Sequence, residues 1–118
     1  MKSLLLIAHG SRREASNSEI RALTNQLKSL VKDRFEYVAC AFLEFEEPSI
    51  DTAIDAAVQA GGSEITILPY FLACGTHVTK DIPALVTAKG AQHSAATIDL
   101  KPYVGASPAM LELLASCV

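Results

Sequence analysis

Short apolar runs alternate along the chain with segments whose apolar residues recur at helical spacing. The apolar runs are typical of strands buried in a sheet, and they cover residues 3–8, 36–43, 64–70 and 94–100. Between the first two runs, residues 15–31 carry an amphipathic pattern with a predicted buried stripe of Ile20, Leu23, Leu27, Leu30 and Val31. The pattern therefore predicts a β-α unit repeated four times.

Residues with known preferences for helix ends delimit the later helices. Pro48 is predicted at the first helical position of the second helix. A short third helix is predicted over residues 82–89, with Asp81 as its N-cap and Gly90 as its stop. Ser107-Pro108 predicts the N-cap and first position of a last helix.

Strands that alternate with helices predict a parallel sheet with right-handed crossovers and helices on both faces. We therefore expect an α/β fold, a three-layer α/β/α sandwich around a four-stranded parallel sheet with the flavodoxin-like strand order 2-1-3-4. The sequence shows no linker or low-complexity tract, so residues 1–118 are expected to form a single domain.

Composition narrows the class of function. A net charge of −3 gives no general attraction to nucleic acid or to an anionic membrane, and no apolar stretch is long enough to cross a bilayer. The three cysteines, Cys40, Cys74 and Cys117, are odd in number and form no Cys-x-x-Cys motif. With no signal-peptide pattern at the start, we expect a cytoplasmic protein without a disulfide framework.

Two histidines and a glutamate follow the predicted strands at the point where each strand ends. His9 follows the first strand, Glu44 the second and His77 the third. In the order 2-1-3-4 the first strand lies between the other two, so all three side chains reach one edge of the sheet, at the switch point where ligands bind. Imidazole is a good ligand for divalent transition metals, so the two histidines predict a metal site.

These residues also have structural interpretations. A histidine after a strand can be a hydrogen-bonded structural residue, and Glu44 precedes two further glutamates in an acidic run that fits a solvated loop. His93, at the start of the weak fourth strand, is expected to be exposed. Cys74 and His77 have the spacing of half a zinc site, but the chain has no second pair to complete it.

Four motifs, in order along nearly the whole chain, resemble those of a known family. They are His9-Gly10-Ser11-Arg12, Phe42-Leu43-Glu44 with Glu47-Pro48, Pro69-x-Phe71-Leu72 leading to Gly75-x-His77 and Asp81-Ile82-Pro83, and the weaker Pro102-Tyr103-Val104-Gly105. The chain resembles the small sirohydrochlorin chelatases, the short CbiX type of class II chelatase. The resemblance implies a chelatase-like fold and the insertion of Co²⁺ or Fe²⁺ into sirohydrochlorin, on the way to cobalamin or sirohaem. It also implies a homodimer, because longer members carry two such units in one chain.

The resemblance assigns roles at the predicted site. His9 and His77 bind the metal, and Glu44 is the carboxylate of the site. Two protein ligands leave coordination positions for the ring nitrogens, and Glu44 is expected to accept the displaced pyrrole protons. The metal is then a substrate, and no organic cofactor is expected.

The resemblance also predicts contacts to the tetrapyrrole, whose carboxylates need donors. Arg12 is the best candidate, because a guanidinium binds a carboxylate bidentately. Gly10 and Ser11, just past the first strand, are expected to bring backbone N–H groups close to an anion.

His9 alone also fits other functions. Histidine phosphatases carry an arginine before the histidine, where this chain has Ala8, and the chain is short for that fold. A phosphohistidine carrier of the mannose-type IIA kind explains His9 but gives Glu44 and the His77 segment no purpose. A metal carrier that passes the ion on without tetrapyrrole chemistry would use the same ligands.

Overall fold

Four parallel strands in the described part of the chain form one sheet in the order β2-β1-β3-β4, as predicted. The strands are β1 Lys2–Ala8, β2 Tyr37–Phe42, β3 Glu64–Pro69 and β4 Thr97–Leu100. The computed structural model describes residues 1–73 and 75–118, with the side chains of His77 and Val78 excluded. Cys74 lies outside the described residues.

Helices connect the strands. They are α1 Glu14–Leu30, α2 Ile50–Gln59, α3 Ile82–Gln92 and α4 Ala109–Ser116. A turn of π-helix, His77–Asp81, leads directly into α3, and a single 3₁₀ turn, Val104–Ala106, precedes α4. The α2 and α3 helices contact each other, and right-handed crossovers place them on the face of the sheet opposite α1.

The central strand explains why the first apolar run is continuous. In β1, Leu5 and Ile7 belong to the main core with Ile54 of α2, whereas Leu4 and Leu6 are buried on the other face. A strand covered on both faces has no solvent-facing positions, so it needs no alternation of polar and apolar residues. The predicted strand boundaries agree with the structure within a few residues.

The helix ends differ from the predictions where tertiary contacts decide them. Pro48 is not the first helical residue, because the Phe42 N–H donates to the Pro48 carbonyl at 2.9 Å and the segment stays extended beside β2. Ser49 is the N-cap instead, and its hydroxyl accepts from the Thr52 N–H at 3.2 Å. Leu30, predicted in the buried stripe of α1, is 83% exposed at the end of the helix.

The ends of α3 also correct the sequence analysis. Asp81 is at the N-cap position and the helix begins at Ile82, as predicted, but Asp81 has helical dihedral angles and its side chain makes no capping hydrogen bond, because the π-helical turn runs into α3 without a break. Gly90 does not stop the helix, which continues to Gln92. At α4 the prediction is wrong by one residue, because the helix begins at Ala109 with Pro108 at the N-cap, although the Ser107 hydroxyl accepts from the Ala109 N–H at 3.3 Å.

A cluster of polar residues joins α2 to α3. The Lys89 ammonium donates to both carboxylate oxygens of Asp55, at 2.9 and 3.0 Å, and His93 Nε2 lies 2.7 Å from Asp55 Oδ1. The expectation that His93 is exposed is wrong, because its side chain is only 19% exposed and belongs to this cluster. Hydrogen bonds from Lys89 and then from His93 hold the pKa of Asp55 below its usual value.

No helix among the described residues is both long enough and apolar enough to cross a membrane.

Replacing the carboxylate of this cluster should destabilise the protein in a pH-dependent way. We expect Asp55→Asn to lower the free energy of unfolding at pH 7 by about 1–3 kcal/mol, because the buried Lys89 loses its charged partner. We expect a loss near the lower end of this range, because the Asp55 side chain is 37% exposed and water screens its interaction with Lys89. A lowered pKa stabilises the fold above the unfolded-state value, so the difference should shrink as pH falls below about 4.

Urea unfolding at pH 7 and in acid measures this effect. Asp33→Asn, which removes an exposed carboxylate, is the matched control and should change stability by less than about 0.5 kcal/mol. Equal effects of the two substitutions at pH 7 would mean that the cluster does not stabilise the fold.

Candidate active site

The backbone pairing of the sheet continues past the ends of β1 and β2. The Leu43 N–H donates to the Ala8 carbonyl at 2.9 Å, and the Glu44 N–H donates to the His9 carbonyl at 3.1 Å. These bonds extend the parallel register by one residue, to His9 opposite Leu43, and the second bond joins the backbone of Glu44 to that of His9. The predicted meeting of these two residues at the carboxyl edge is therefore observed.

The side chains of this pair also meet. His9 Nε2 lies 3.2 Å from Glu44 Oε1, and His9 Nδ1 lies 3.1 Å from the Gly10 carbonyl oxygen. A carbonyl oxygen and an ionised carboxylate oxygen both only accept, so each contact suits an N–H at the ring nitrogen that it faces, and a metal ion bound at Nε2 would take the place of the proton there. The two side chains are 48% and 43% exposed, so the gap between them is open to solvent.

The pair offers one imidazole and one carboxylate at this edge. Imidazole is a good ligand for divalent transition metals, and the carboxylate oxygen 3.2 Å from Nε2 lies close enough to accept a proton beside such an ion. Within residues 1–73 and 75–118, leaving aside the His77 side chain, no three His, Cys, Asp or Glu residues form a group that could hold a metal ion. The described residues thus supply one candidate metal donor and one candidate base at this edge.

Gly10 allows the close approach of the two loops. Its φ is +91°, and a Cβ atom built there would lie 1.8 Å from the carbonyl oxygen of Glu44. Only glycine fits such a position, because the left-handed backbone and the contact both exclude a side chain. The structural role of Gly10 is therefore to let the backbone of the His9 loop approach the Glu44 carbonyl closely. This close approach was not predicted from the sequence.

The neighbours of Gly10 are also placed. The Ser11 N–H donates to Asn17 Oδ1 at 3.0 Å, so this amide is occupied rather than offered to an anion, and Ser11 would have to bind through its hydroxyl. The Arg12 guanidinium lies over the ring of Phe45, with its carbon 4.8 Å from the ring centroid. Because Phe45 follows Glu44, this cation–π contact keeps Arg12 at the same edge as the pair.

The segment that carries His77 follows β3, the other neighbour of β1. The Tyr70 N–H donates to the Ile7 carbonyl at 2.7 Å, which continues this strand pair to the carboxyl edge. His77 then begins the π-helical turn, a form often found at functional sites. Its side chain lies outside the described residues, so its role as a metal ligand stays a prediction.

A cavity of about 590 Å³ opens beside His9, between the end of β1 and α1. Its wall includes His9, Gly10, Ile20, Leu23 and Tyr70, which combine polar groups at the loop with apolar side chains along the helix. Mixed lining of this kind is typical of small-molecule sites. Tyr70, which was not assigned a role from sequence, lies after β3 in this wall.

The sequence analysis also missed the residues that hold the two loops. Asn17 is 3% exposed in the first turns of α1 and bonds to Ser11. Glu46, taken for part of a solvated acidic run, forms an ion pair with Arg21 at 3.1 Å. The sequence feature that could have indicated Asn17 is its residue type. Asparagine is a poor helix former, and near the start of an amphipathic helix its side chain usually bonds to groups outside the helix.

The fold and the site together define a doubly wound α/β protein that presents a paired imidazole and carboxylate at the switch point of its sheet. The CbiX family model matches residues 3–118, and the chain belongs to the CbiX family.

Curated relatives agree with this assignment. The sirohydrochlorin cobaltochelatase of Methanocaldococcus jannaschii is 37% identical over 86 residues, which are 73% of this chain and 59% of the relative. The chloroplastic sirohydrochlorin ferrochelatase of Arabidopsis thaliana is 29% identical over 111 residues, which are 94% of this chain and 48% of the relative. The chain thus matches 59% and 48% of the length of these two relatives.

Solved structures share the architecture. A CbiX protein from Marinobacter aquaeolei VT8, provisionally assigned to cobalamin biosynthesis, superimposes with a TM-score of 0.80 at 30% identity, over 99% of this chain and 93% of that one. The sirohydrochlorin chelatase SirB from Bacillus subtilis subspecies spizizenii, solved in complex with cobalt, gives a TM-score of 0.84 at 24% identity over 98% of this chain and 48% of that one. The predicted chelatase-like fold is confirmed.

The close approach at Gly10 can be tested against a second glycine. Gly10→Ala should destabilise the protein more than Gly61→Ala, because both positions have positive φ but a Cβ at Gly61 meets nothing within 4 Å. Positive φ alone costs an alanine about 1–2 kcal/mol, and the contact with the Glu44 carbonyl adds to this only at Gly10. Urea unfolding of both variants gives the comparison, and equal losses of stability would contradict the close approach.

Proposed function

We propose that the protein inserts a divalent metal, Co²⁺ or Fe²⁺, into sirohydrochlorin, in the biosynthesis of cobalamin or sirohaem. The observation that carries the proposal is the His9–Glu44 pair, with its 3.2 Å separation, at the mouth of an open cavity. The curated relatives support the reaction, since they are sirohydrochlorin cobaltochelatases and ferrochelatases.

Metal binding begins at His9. The Gly10 carbonyl holds the Nδ1 proton, so the Nε2 lone pair can bind the ion. We infer that His77 supplies a second imidazole, because its segment follows the strand next to β1 on the same edge. Because only a small number of protein ligands would bind the ion, some of its coordination positions stay open. The ring nitrogens of the macrocycle need these positions in order to replace water on the ion.

The reaction also requires a proton acceptor. When M²⁺ enters the ring, two pyrrole nitrogens each lose a proton, so metal uptake and the release of two protons balance in charge. Glu44 is the proposed acceptor, since its carboxylate lies next to the proposed metal ligand and is open to water. Protons can pass from Glu44 to solvent, because 43% of its side chain is exposed.

The substrate needs an apolar wall and cationic donors. The cavity beside His9 offers the apolar side chains of Ile20 and Leu23 and the ring of Tyr70 for the face of the macrocycle. Arg12 is the proposed partner of a peripheral carboxylate, because its contact with Phe45 engages a ring face and keeps the guanidinium near the pair. Gly10 and Ser11 line the same wall and complete the proposed binding loop.

We propose that two copies assemble around the substrate. A planar macrocycle has two faces, and the sheet edge of one copy can cover only one of them. The C-terminal helix provides an apolar surface for a partner, since Leu111, Leu113 and Leu114 are 77%, 55% and 56% exposed. Burying such a side chain contributes about 1.5–3 kcal/mol, so a second copy that covers α4 gains substantially.

The proposed ligands can be tested by substitution. We expect His9→Ala and His77→Ala each to lower the rate of Co²⁺ insertion more than about 100-fold with little change in unfolding midpoint, because each removes a metal ligand from an exposed edge. The rate is followed as the absorbance change of sirohydrochlorin on metal insertion. His93→Gln, which alters a histidine away from the site, is the control and should retain activity.

This assay also separates the alternative functions. A metal carrier would bind Co²⁺ but would not accelerate insertion above the uncatalysed rate. A phosphohistidine carrier would show a phosphorylated His9 by mass spectrometry after incubation with its donor. Near-normal turnover of His77→Ala would remove that residue from the site.

The dimer can be tested through α4. We expect the wild-type protein to be a dimer in light scattering after size exclusion, and Leu111→Glu/Leu114→Glu to be a monomer, because charges cannot be buried in an apolar interface. Leu30→Glu changes a leucine that is 83% exposed outside α4 and should leave the dimer intact. A monomeric wild type, or a dimeric double variant, would be evidence against this interface.

A further inference from the structure

We propose that Asn17 is a positioning residue that sets the distance between His9 and Glu44 by joining the two loops that carry them. The expected effect on metal binding rests on the proposed function, whereas the role of Asn17 in setting the distance between His9 and Glu44 rests on the hydrogen bonds alone. Asn17 belongs to neither loop. It lies in α1, four positions from Arg13 at the N-cap, and is 3% exposed.

Asn17 holds the loop after β1 through hydrogen bonds to both the N–H and the carbonyl of Ser11. Its Oδ1 accepts from the Ser11 N–H at 3.0 Å, and its Nδ2 donates to the Ser11 carbonyl at 2.7 Å. These two bonds fix the orientation of the Asn17 amide. If the amide were reversed, its NH₂ would face the Ser11 N–H and its oxygen would face the Ser11 carbonyl. Since Ser11 is two residues from His9, this clamp limits how far the histidine can move.

The same amide reaches the loop after β2. Nδ2 also lies 3.4 Å from Glu46 Oε2, and that oxygen is 3.1 Å from the Arg21 guanidinium. The Glu47 N–H donates to the other carboxylate oxygen of Glu46, Oε1, at 2.9 Å. Arg21 in turn donates to the Glu47 carbonyl at 3.1 Å. Glu46 is two residues from Glu44, so the second loop is fixed to the same helix.

Burial cannot position the functional pair, because the side chains of His9 and Glu44 are about half exposed. Their separation depends on the backbone beneath them. The direct bond between the Glu44 N–H and the His9 carbonyl sets the register of the loops, and Asn17 adds the connection to a rigid helix. Buried side chains with satisfied hydrogen bonds are suited to this task, since they have one arrangement rather than many.

Substitution of Asn17 should weaken metal binding beyond any loss of stability. We expect Asn17→Ala to raise the dissociation constant for Co²⁺ about 10- to 100-fold, the usual effect of removing a residue that orients a metal ligand. The KM for Co²⁺ should rise in step with this loss of affinity, and the KM for sirohydrochlorin should rise as well, because Asn17 also holds Ser11 of the proposed binding loop and lines the same cavity. The metal affinity is measured by calorimetry and the kinetic constants by absorbance.

Thr24→Ala is the matched control. Thr24 is the other buried polar residue of α1, and its hydroxyl donates to the Ile20 carbonyl at 2.8 Å without reaching either loop. If Asn17 serves only the stability of α1, both variants should lower the unfolding midpoint and leave Co²⁺ affinity equal. That result would overturn the proposal.

A compensating pair adds a test that general destabilisation cannot mimic. Asn17→Asp alone should weaken Co²⁺ binding, because it removes the donor and sets a second carboxylate against Glu46. In Asn17→Asp/Glu46→Gln the amide and the carboxylate exchange positions, so the bond between the two side chains can form again. We expect partial recovery of affinity, and an additive loss in the double variant would count against the connection.

Failure of the proposed function is distinguishable from failure of this inference. If the wild-type protein neither binds Co²⁺ nor inserts it, the proposed function is wrong. The geometry is then judged by the nuclear Overhauser effect between the His9 ring protons and the Glu44 side chain, which Asn17→Ala should weaken and Thr24→Ala should not. An unchanged effect in Asn17→Ala would overturn the positioning role whatever the activity.

Discussion

The contact of the two loops at the carboxyl edge is the constraint on which the rest of the site depends. The Glu44 N–H bonds to the His9 carbonyl at 3.1 Å, while Gly10 passes so close to the Glu44 carbonyl that no Cβ fits. Parallel strands in register bring the loops to this point, and glycine allows them to meet. The imidazole and the carboxylate are then neighbours because their backbones are neighbours, even though both side chains are open to water.

Topology explains how residues distant in sequence come together. The order β2-β1-β3-β4 puts the first strand between the second and the third, so the segments that follow all three strands share one edge. The core on the α2 and α3 side holds these strands through Leu5, Ile7 and Ile67. A solvent-exposed site at the sheet edge is thus supported by a buried apolar core. Sites on parallel α/β sheets are generally arranged in this way.

The sequence was sufficient for the strands and their parallel arrangement, because continuous apolar runs and the alternation of strands with helices carry that information. The order 2-1-3-4 was taken from the flavodoxin-like pattern, and the expected meeting of His9 with Glu44 depended on it. It was not sufficient where a single long-range contact decides. Pro48 stays outside α2 because the Phe42 N–H of β2 donates to its carbonyl, and His93 is partly buried because its ring contacts Asp55 of another helix. Asn17 and the positive φ of Gly10 were missed for the same reason, since their partners lie in other segments.

The Asp55–Lys89–His93 cluster joins α2 to α3 on the face of the sheet opposite the helix that holds the site loops. The bonds that join α2 to α3 and the bonds that hold the His9 and Glu44 loops therefore involve different helices. Substitutions that strengthen the contact between α2 and α3 can accumulate without altering the bonds between these two loops, which leaves this part of the fold tolerant of sequence change.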